Sequence, residues 1–136
     1  MIREGPRECV DSRYSEQVLF QDLDVYKLSL QLAIDVHHLT LTFPKAGGYS
    51  LGDQMRRAAN SVPCNIAEGA MRNNPKEFIQ YIGIARGSCA ELRTLLAIGE
   101  GVGYLNEPSD MSIRTERISQ MLTALLRTLR RKSDSP

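Results

Sequence analysis

The stretch RRAANSVPCNIAEGAMRNNPKEF, residues 56–78, decides the fold of this chain. Apolar side chains recur at three- and four-residue steps on both sides of Pro63, a spacing typical of an amphipathic helix. Proline lacks an amide hydrogen and crowds the preceding turn, so the pattern predicts a helix that continues through Pro63 with a kink. The segment NNPKEF then predicts a new helix, with Asn74 at its N-cap and Pro75 at its first position.

The first of these helices carries two polar side chains that its apolar face does not explain. On a helical wheel, Asn65 falls inside the apolar face and Glu68 lies at its edge, near Arg57. These residues form either a polar clamp on the kink and the neighbouring helix or a contact to a ligand or nucleic acid, and the clamp is favoured. Gly69 falls on the apolar face and allows close packing. The set assigned to this structural motif is Pro63, Asn65, Glu68 and Gly69.

Three further signals complete a four-helix pattern. A helix is predicted from about Leu23 to Phe43, ended by Pro44 and the following glycines. The segment SLGD predicts a capping box that starts the second helix, with Ser50 at the N-cap and Asp53 three residues later. The third helix ends at GEGVGYL, and the fourth runs from near Glu107 to Arg131.

No segment is typical of a strand, so the sequence predicts an all-α fold. Helices of this length with short connections favour an up-down-up-down antiparallel four-helix bundle, with helix 2 kinked at a proline. The bundle is assigned to residues 21–132. A flexible polar tail is assigned to residues 1–20 and a disordered C-terminus to residues 133–136.

Composition excludes several classes of protein. Hydrophobic residues make up 42% and charged residues 24% of the 136 residues, which is typical of a globular domain. No apolar run is long enough to span a bilayer, and the N-terminus lacks the apolar region of a signal peptide. Three cysteines without a CxxC spacing indicate reduced thiols in a cytoplasmic protein.

Motifs for catalysis are absent from the sequence. His37 and His38 are adjacent and therefore point about 100° apart on a helix, so they are unsuited to holding one metal ion together. GEGVGY does not follow a strand pattern, and we interpret it as a helix stop rather than a phosphate-binding loop. We expect no enzymatic activity, no cofactor and no metal site.

A second apolar stripe indicates an interface. One bundle core does not bury apolar residues on two sides of the same helix, and exposed stripes usually mark contacts with other molecules. The expected partner is a second copy of the chain; a wide core face is the alternative. The residues assigned to the oligomer interface are Leu23, Leu30, Ile34, Leu41, Ile84, Leu95 and Ile98.

Arginine is the best indication of a binding function. Net charge is only +1, but RTLRRK, residues 127–132, contains no acid, and Arg56 falls nearly opposite the core face of helix 2. Arginine suits phosphate because its planar fork donates hydrogen bonds in pairs. Ordinary solvated surface charge is the alternative. The residues assigned to nucleic-acid binding are Arg56, Arg72, Lys76, Arg86, Arg93, Arg127, Arg130 and Arg131.

Four segments resemble a known family. DLDVYKLSLQLA with LTLTFP, QMRRAANSVPCNIAEGAMR, KEFIQYIGIARGSCAELRTLL and GYL are similar to the four-helix-bundle proteins encoded in 23S ribosomal RNA intervening sequences. The accessory variability protein of diversity-generating retroelements is a more distant relative. The most specific segment is SVPCNIAEG, residues 61–69. The resemblance implies a bacterial cytoplasmic homopentamer with RNA or DNA as a candidate partner and no known catalytic activity.

Two functions follow as hypotheses. The first is an oligomeric accessory protein whose arginines contact a phosphate backbone without reading bases. The alternative is a scaffold that binds another protein and has no role with nucleic acid. Retention on RNA or DNA that depends on salt concentration would separate them.

Overall fold

The computed structural model describes residues 20, 23–107 and 109–134, and within them it contains four helices and no strand. The helices are α1 (Asp24–Thr40), α2 (Tyr49–Ala70), α3 (Pro75–Gly101) and α4 (Asp110–Asp134). The contacts join α1 to α2, α2 to α3, α3 to α4 and α4 to α1. Helices α1 and α3 therefore occupy diagonal corners. The predicted all-α four-helix bundle is confirmed.

The core lies between the four apolar faces, close to where the periodicity places them. Each helix contributes side chains that are fully or almost fully buried, and Cys89 and Thr115 lie among them. Thr115 satisfies its hydroxyl by donating to the Met111 carbonyl at 2.6 Å. The largest apolar side chains that are fully buried are Leu32, Met55, Ile66, Ile82, Leu92, Leu96, Ile118, Leu122 and Leu126.

Helix α2 continues through Pro63, which is buried, while the bend at this residue stays a prediction. Close packing at Gly69 is confirmed. A Cβ atom on Gly69 would lie 2.6 Å from the Tyr81 Cβ and 3.1 Å from the Phe78 ring. Any larger residue at position 69 would push α2 and α3 apart near the turn that joins them.

Helix ends match the predictions less well than the core does. The capping box at Ser50 is wrong because α2 begins at Tyr49 and no side chain caps it. The Gly48 amide donates to the Pro44 carbonyl at 2.8 Å, and this tight turn starts the helix earlier than expected. A Cβ at Gly48 would lie 2.7 Å from that carbonyl, so the turn requires glycine. The cap at Asn74 is confirmed, since its Oδ1 accepts from the Lys76 amide at 2.9 Å.

The other boundaries differ by a few residues. Helix α1 ends at Thr40 rather than Phe43, although Phe43 remains in the core. Helix α4 begins at Asp110, and Ser109 caps it by accepting from the Ser112 amide at 3.1 Å. It continues to Asp134, two residues beyond the predicted end of the bundle. Of the tail assigned to residues 1–20, residues 1–19 lie outside the described residues, and so do residues 135–136 of the C-terminus assigned to residues 133–136.

Candidate nucleic-acid interface

Antiparallel packing brings the start of α3 and the end of α4 to one end of the bundle. Arg93 contacts Glu116, whereas Arg86, earlier in α3, reaches Thr123, later in α4. The α2–α3 turn therefore lies beside the last turns of α4. The cationic residues gathered there, called the basic end below, are Arg72, Lys76, Arg127, Arg130, Arg131 and Lys132, all of them exposed.

Arg72 is held in place within the basic end. Its Nη2 lies 3.2 Å from Glu68 Oε1 and 3.0 Å from the Tyr81 hydroxyl, and its guanidinium lies over the Tyr81 ring. Glu68 therefore pairs with Arg72 rather than with Arg57, which contacts Asp53 at 3.1 Å. Each of these two carboxylates thus pairs with the arginine four residues after it in the chain.

Four other cations of the basic end have fewer constraints. Arg127, Arg130, Lys132 and Lys76 form no salt bridge or side-chain hydrogen bond with any described residue. Cations in the last turn of a helix also stabilise its C-terminal dipole, and this structural role applies to Lys132 in particular. Their donors nevertheless face solvent and are available to an anion.

Three other predicted binding residues lie outside the basic end. Arg56 lies near the opposite end and is only 22% exposed, because its Nη1 donates to Thr40 Oγ1 on α1 at 2.9 Å. Its predicted position opposite the core face was therefore wrong. Arg93 is paired with Glu116 at 2.6 Å, and half-buried Arg86 donates to Thr123 Oγ1 at 3.5 Å. The flank of α3 is thus not a free basic surface.

Asn65 belongs to a hydrogen-bonded link between α2 and α3. Its Nδ2 donates to the Ser61 carbonyl at 2.7 Å and to the Ser61 hydroxyl at 2.9 Å. The Ser88 hydroxyl of α3 lies 2.7 Å from the same Ser61 oxygen. This geometry supports the clamp interpretation. The sequence did not point to Ser88 as part of this link. The only indication there was a serine at a core position of the α3 pattern.

The predicted interface residues form two separate exposed surfaces. The α1 surface contains Leu30 and Ile34, which are 40% and 43% exposed. They line a groove of about 390 Å³ with Pro63 and Cys64 of α2. The α3 surface contains Ile84 and Ile98, each 47% exposed; beside Ile84, Gly83 and Gly87 have open space where a side chain would be.

Three members of the predicted stripe lie elsewhere. Leu95 is only 7% exposed and belongs to the core, so its assignment to an outward stripe was wrong. Helix α3 contacts both α2 and α4, and this widens the arc that it buries. Leu23 is half-buried against the core. Leu41 is 80% exposed but lies in the turn after α1.

Polar groups at the end opposite the basic end, called the loop end below, are bonded to each other. Glu100 Oε1 accepts from the Ser112 hydroxyl at 2.7 Å and from the Ser109 amide at 3.2 Å, and these bonds lower the pKa of Glu100. Nearby, Asp35 contacts Arg114 at 2.8 Å. Burial would raise the pKa of Asp35, but hydrogen bonds from Arg114 and Gln31 outweigh it and leave the pKa lowered.

The described residues offer little for catalysis. They contain no group of three His, Cys, Asp or Glu residues placed to hold a metal ion. The exposed His37 lies 2.9 Å from Asn60 Oδ1 across α1 and α2. Burial raises the pKa of Cys89 to about 11, so this thiol is a poor nucleophile, while Cys64 is exposed. No described helix combines the length and apolar character needed to cross a membrane.

Comparison with known proteins identifies the family. The 23S rRNA-intervening sequence protein family matches residues 21–124. The chain belongs to this family. The match extends from just before α1 to the middle of α4, and it includes the turn at the basic end.

A solved structure has the same fold. It is the crystal structure of a protein of unknown function from the S23 ribosomal protein family of Bacteroides thetaiotaomicron. That chain is 19% identical, and the alignment covers 75% of this chain and 97% of that one with a TM-score of 0.71. None of the curated proteins matches this chain.

Proposed function

We propose that this protein is a homo-oligomeric, non-enzymatic accessory factor of the bacterial cytoplasm that binds nucleic acid through the basic end of each bundle. The observation that supports this most is the exposed, unpaired state of Arg127, Arg130, Lys132 and Lys76 beside the oriented Arg72. Phosphate contacts of this kind position a backbone and carry no sequence information.

Oligomerisation is proposed from the two apolar surfaces. The α1 and α3 surfaces lie at diagonal corners of one bundle, so they do not form a single patch. A contact between the α1 surface of one copy and the α3 surface of the next is heterologous, and it closes into a ring when the rotation allows. The open space at Gly83 and Gly87 would admit Leu30 and Ile34. The family resemblance favours five copies.

A ring would strengthen nucleic-acid binding by a chain whose own net charge is low. One chain has a net charge of only +1, but a ring repeats the basic end in every subunit. Contacts from several copies to one nucleic acid act together, so the overall affinity exceeds that of each separate site. Each contacted phosphate also releases counterions, which makes the binding dependent on salt.

The oligomer is tested by light scattering after size exclusion. We expect a mass of several chains for the wild type, and smaller particles for Ile34→Glu because a charge would be buried unpaired in the interface. Met71→Glu is the matched control, since Met71 is 70% exposed outside both surfaces. A monomeric wild type at micromolar concentration would contradict the proposed ring.

Nucleic-acid binding is tested by fluorescence anisotropy with labelled RNA and DNA oligonucleotides in about 50 mM salt. We expect the intact oligomer to bind both with weak sequence preference, because the contacts are to phosphate. Absence of binding at low salt would reject the proposal. The apolar α1 and α3 surfaces would then favour the second candidate, a scaffold that binds another protein.

A further inference from the structure

A separate cavity opens at the turn between α1 and α2, at the loop end. Its volume is about 550 Å³, within the range of small-molecule sites. The buried residues Thr40, Phe43 and Gly48 are among those that line it. Exposed side chains, among them Leu41, Lys45 and Tyr49, also line it. Neither the basic end nor the structural clamp contributes to this cavity.

The charged side chains of this cavity favour an anion. Lys45 and Arg56 line it together with His37 and His38, and no carboxylate does. Arg56 is held in place by its bond to Thr40 Oγ1 and uses one of its five N–H donors there. Its contact with Asp53 is long, at 3.8 Å, so the guanidinium is incompletely neutralised. Further donors remain for an anionic group.

An exposed aromatic ring lies beside these cations. Tyr49 is 72% exposed although tyrosine usually buries much of its ring, and Leu41 is 80% exposed in the same lining. The Arg56 guanidinium carbon lies 6.0 Å from the centroid of the Tyr49 ring. An aromatic face next to two cations matches a ligand that combines a planar apolar group with a negative charge.

We propose that this cavity binds a nucleoside phosphate, with the base against Tyr49 and Leu41 and the phosphate at Lys45 and Arg56. A free nucleotide and an unstacked nucleotide of a single strand share this chemistry. Base–aromatic stacking accepts every base, so the site is expected to select single strands over duplexes rather than one sequence. The site is independent of the proposed function at the basic end.

The test is a titration followed by amide NMR shifts. The probes are adenosine monophosphate at up to about 5 mM, a thymidine oligonucleotide as a single strand, and inorganic phosphate. We expect saturable shifts at Tyr49 and Lys45 with either nucleotide source. Tyr49→Ala should weaken the binding about tenfold, the order expected for the loss of one stack, while Tyr49→Phe should stay close to wild type. Met71→Ala, at the other end of the bundle, is the control.

The outcomes distinguish a free nucleotide from a single strand as the ligand, and they distinguish this proposal from the one for the basic end. Shifts with the monophosphate alone identify a site for free nucleotides, and shifts with the single strand alone identify a strand contact. The absence of shifts with both, equal binding of inorganic phosphate, or an unchanged Tyr49→Ala variant would overturn the proposal. An Arg127→Glu/Arg130→Glu variant should bind the monophosphate like wild type, so failure at the basic end does not affect this test.

Discussion

The basic end and the loop end of the bundle both carry charged side chains, but the surroundings differ. At the basic end, Arg127 and Arg130 extend into solvent without partners among the described residues. At the loop end, Arg114 contacts Asp35, and Glu100 accepts hydrogen bonds from the first turn of α4. The difference shows that the partner geometry, rather than the residue type, decides whether a charge stabilises the fold or remains available for binding.

The largest expected effect is on binding at the basic end. Arg127→Glu with Arg130→Glu should weaken nucleic-acid binding by at least about tenfold at low salt, because two phosphate contacts become repulsive. Thermal stability should change little, since neither side chain has a partner to lose. Anisotropy and a melting curve on the same sample measure both effects.

The control for the Arg127→Glu/Arg130→Glu variant makes the same change of charge elsewhere on the bundle. Arg57→Glu with Arg117→Glu alters two exposed arginines that lie outside the basic end. We expect this variant to lose less affinity than the basic-end variant. Equal losses would mean that net charge alone governs binding, and the contrast between the two ends would disappear.

The next effect is on stability at the loop end. Glu100→Ala removes the bonds from Ser112 and Ser109 that fix the start of α4, which should cost about 1–2 kcal/mol. Chemical denaturation measures the loss, and Glu91→Ala, on the exposed side of α3, should be neutral. Unchanged stability of Glu100→Ala, or equal losses in the two variants, would remove the structural role assigned to this end.

The same contact predicts a pH dependence. The pKa of Glu100 is lowered in the folded state by the Ser112 hydroxyl and the Ser109 amide. Its contribution is therefore present above the ordinary carboxyl pKa of about 4 and is lost as the pH falls through the lowered value. The stability difference between wild type and Glu100→Ala should be constant from about pH 6 to pH 8 and shrink below about pH 4. A stability difference that grows as the pH falls would contradict the lowered pKa of Glu100.

A smaller effect is expected at the clamp between the two ends. Asn65→Leu removes two hydrogen bonds to Ser61 while the Ser88 contact remains, so the loss should be about 1 kcal/mol. Calorimetry measures the melting temperature, and nucleic-acid binding should be unchanged. Lost binding with unchanged stability would make Asn65 part of a binding site instead.

The smallest expected effect is an increase in nucleic-acid affinity rather than a loss. Glu68→Ala releases Arg72 from its exposed salt bridge and removes a negative charge from the basic end. Nucleic-acid affinity should rise about twofold at low salt, with little change in melting temperature because exposed pairs contribute little stability. Gln at position 68 should behave similarly. Weaker binding of Glu68→Ala would show that Arg72 must be oriented by Glu68 to contact phosphate.

The fold could be predicted because it depends on periodicity. Core residues such as Leu32, Ile66 and Leu122 recur at helical spacing, and this spacing is local information. The cap at Asn74 is local as well. The start of α2 was missed because it depends on the turn from Pro44 to Gly48, in which the hydrogen bond of the Gly48 amide takes the place of a side-chain cap.

The candidate site was harder to predict because it depends on neighbouring helices. A helical wheel gives the direction of a side chain but not the residue that it meets. Arg56 donates to Thr40 on α1 at the loop end, and Arg93 pairs with Glu116 on α4, so neither joins the cations of the basic end. The sequence marked the RTLRRK segment only by its basic charge; in the structure its four cations are exposed, whereas Thr128 and Leu129 are half-buried.

The central claim is that the basic end binds phosphate, and the salt dependence of binding by the intact oligomer tests it most directly. Log affinity plotted against log salt from about 50 to 200 mM should fall by about 0.7–0.9 for each contacted phosphate. In the Arg127→Glu/Arg130→Glu variant the slope should be shallower by about 1.4–1.8, the share of two contacts. A wild type that does not bind at low salt, or a variant with the wild-type slope, would contradict the account.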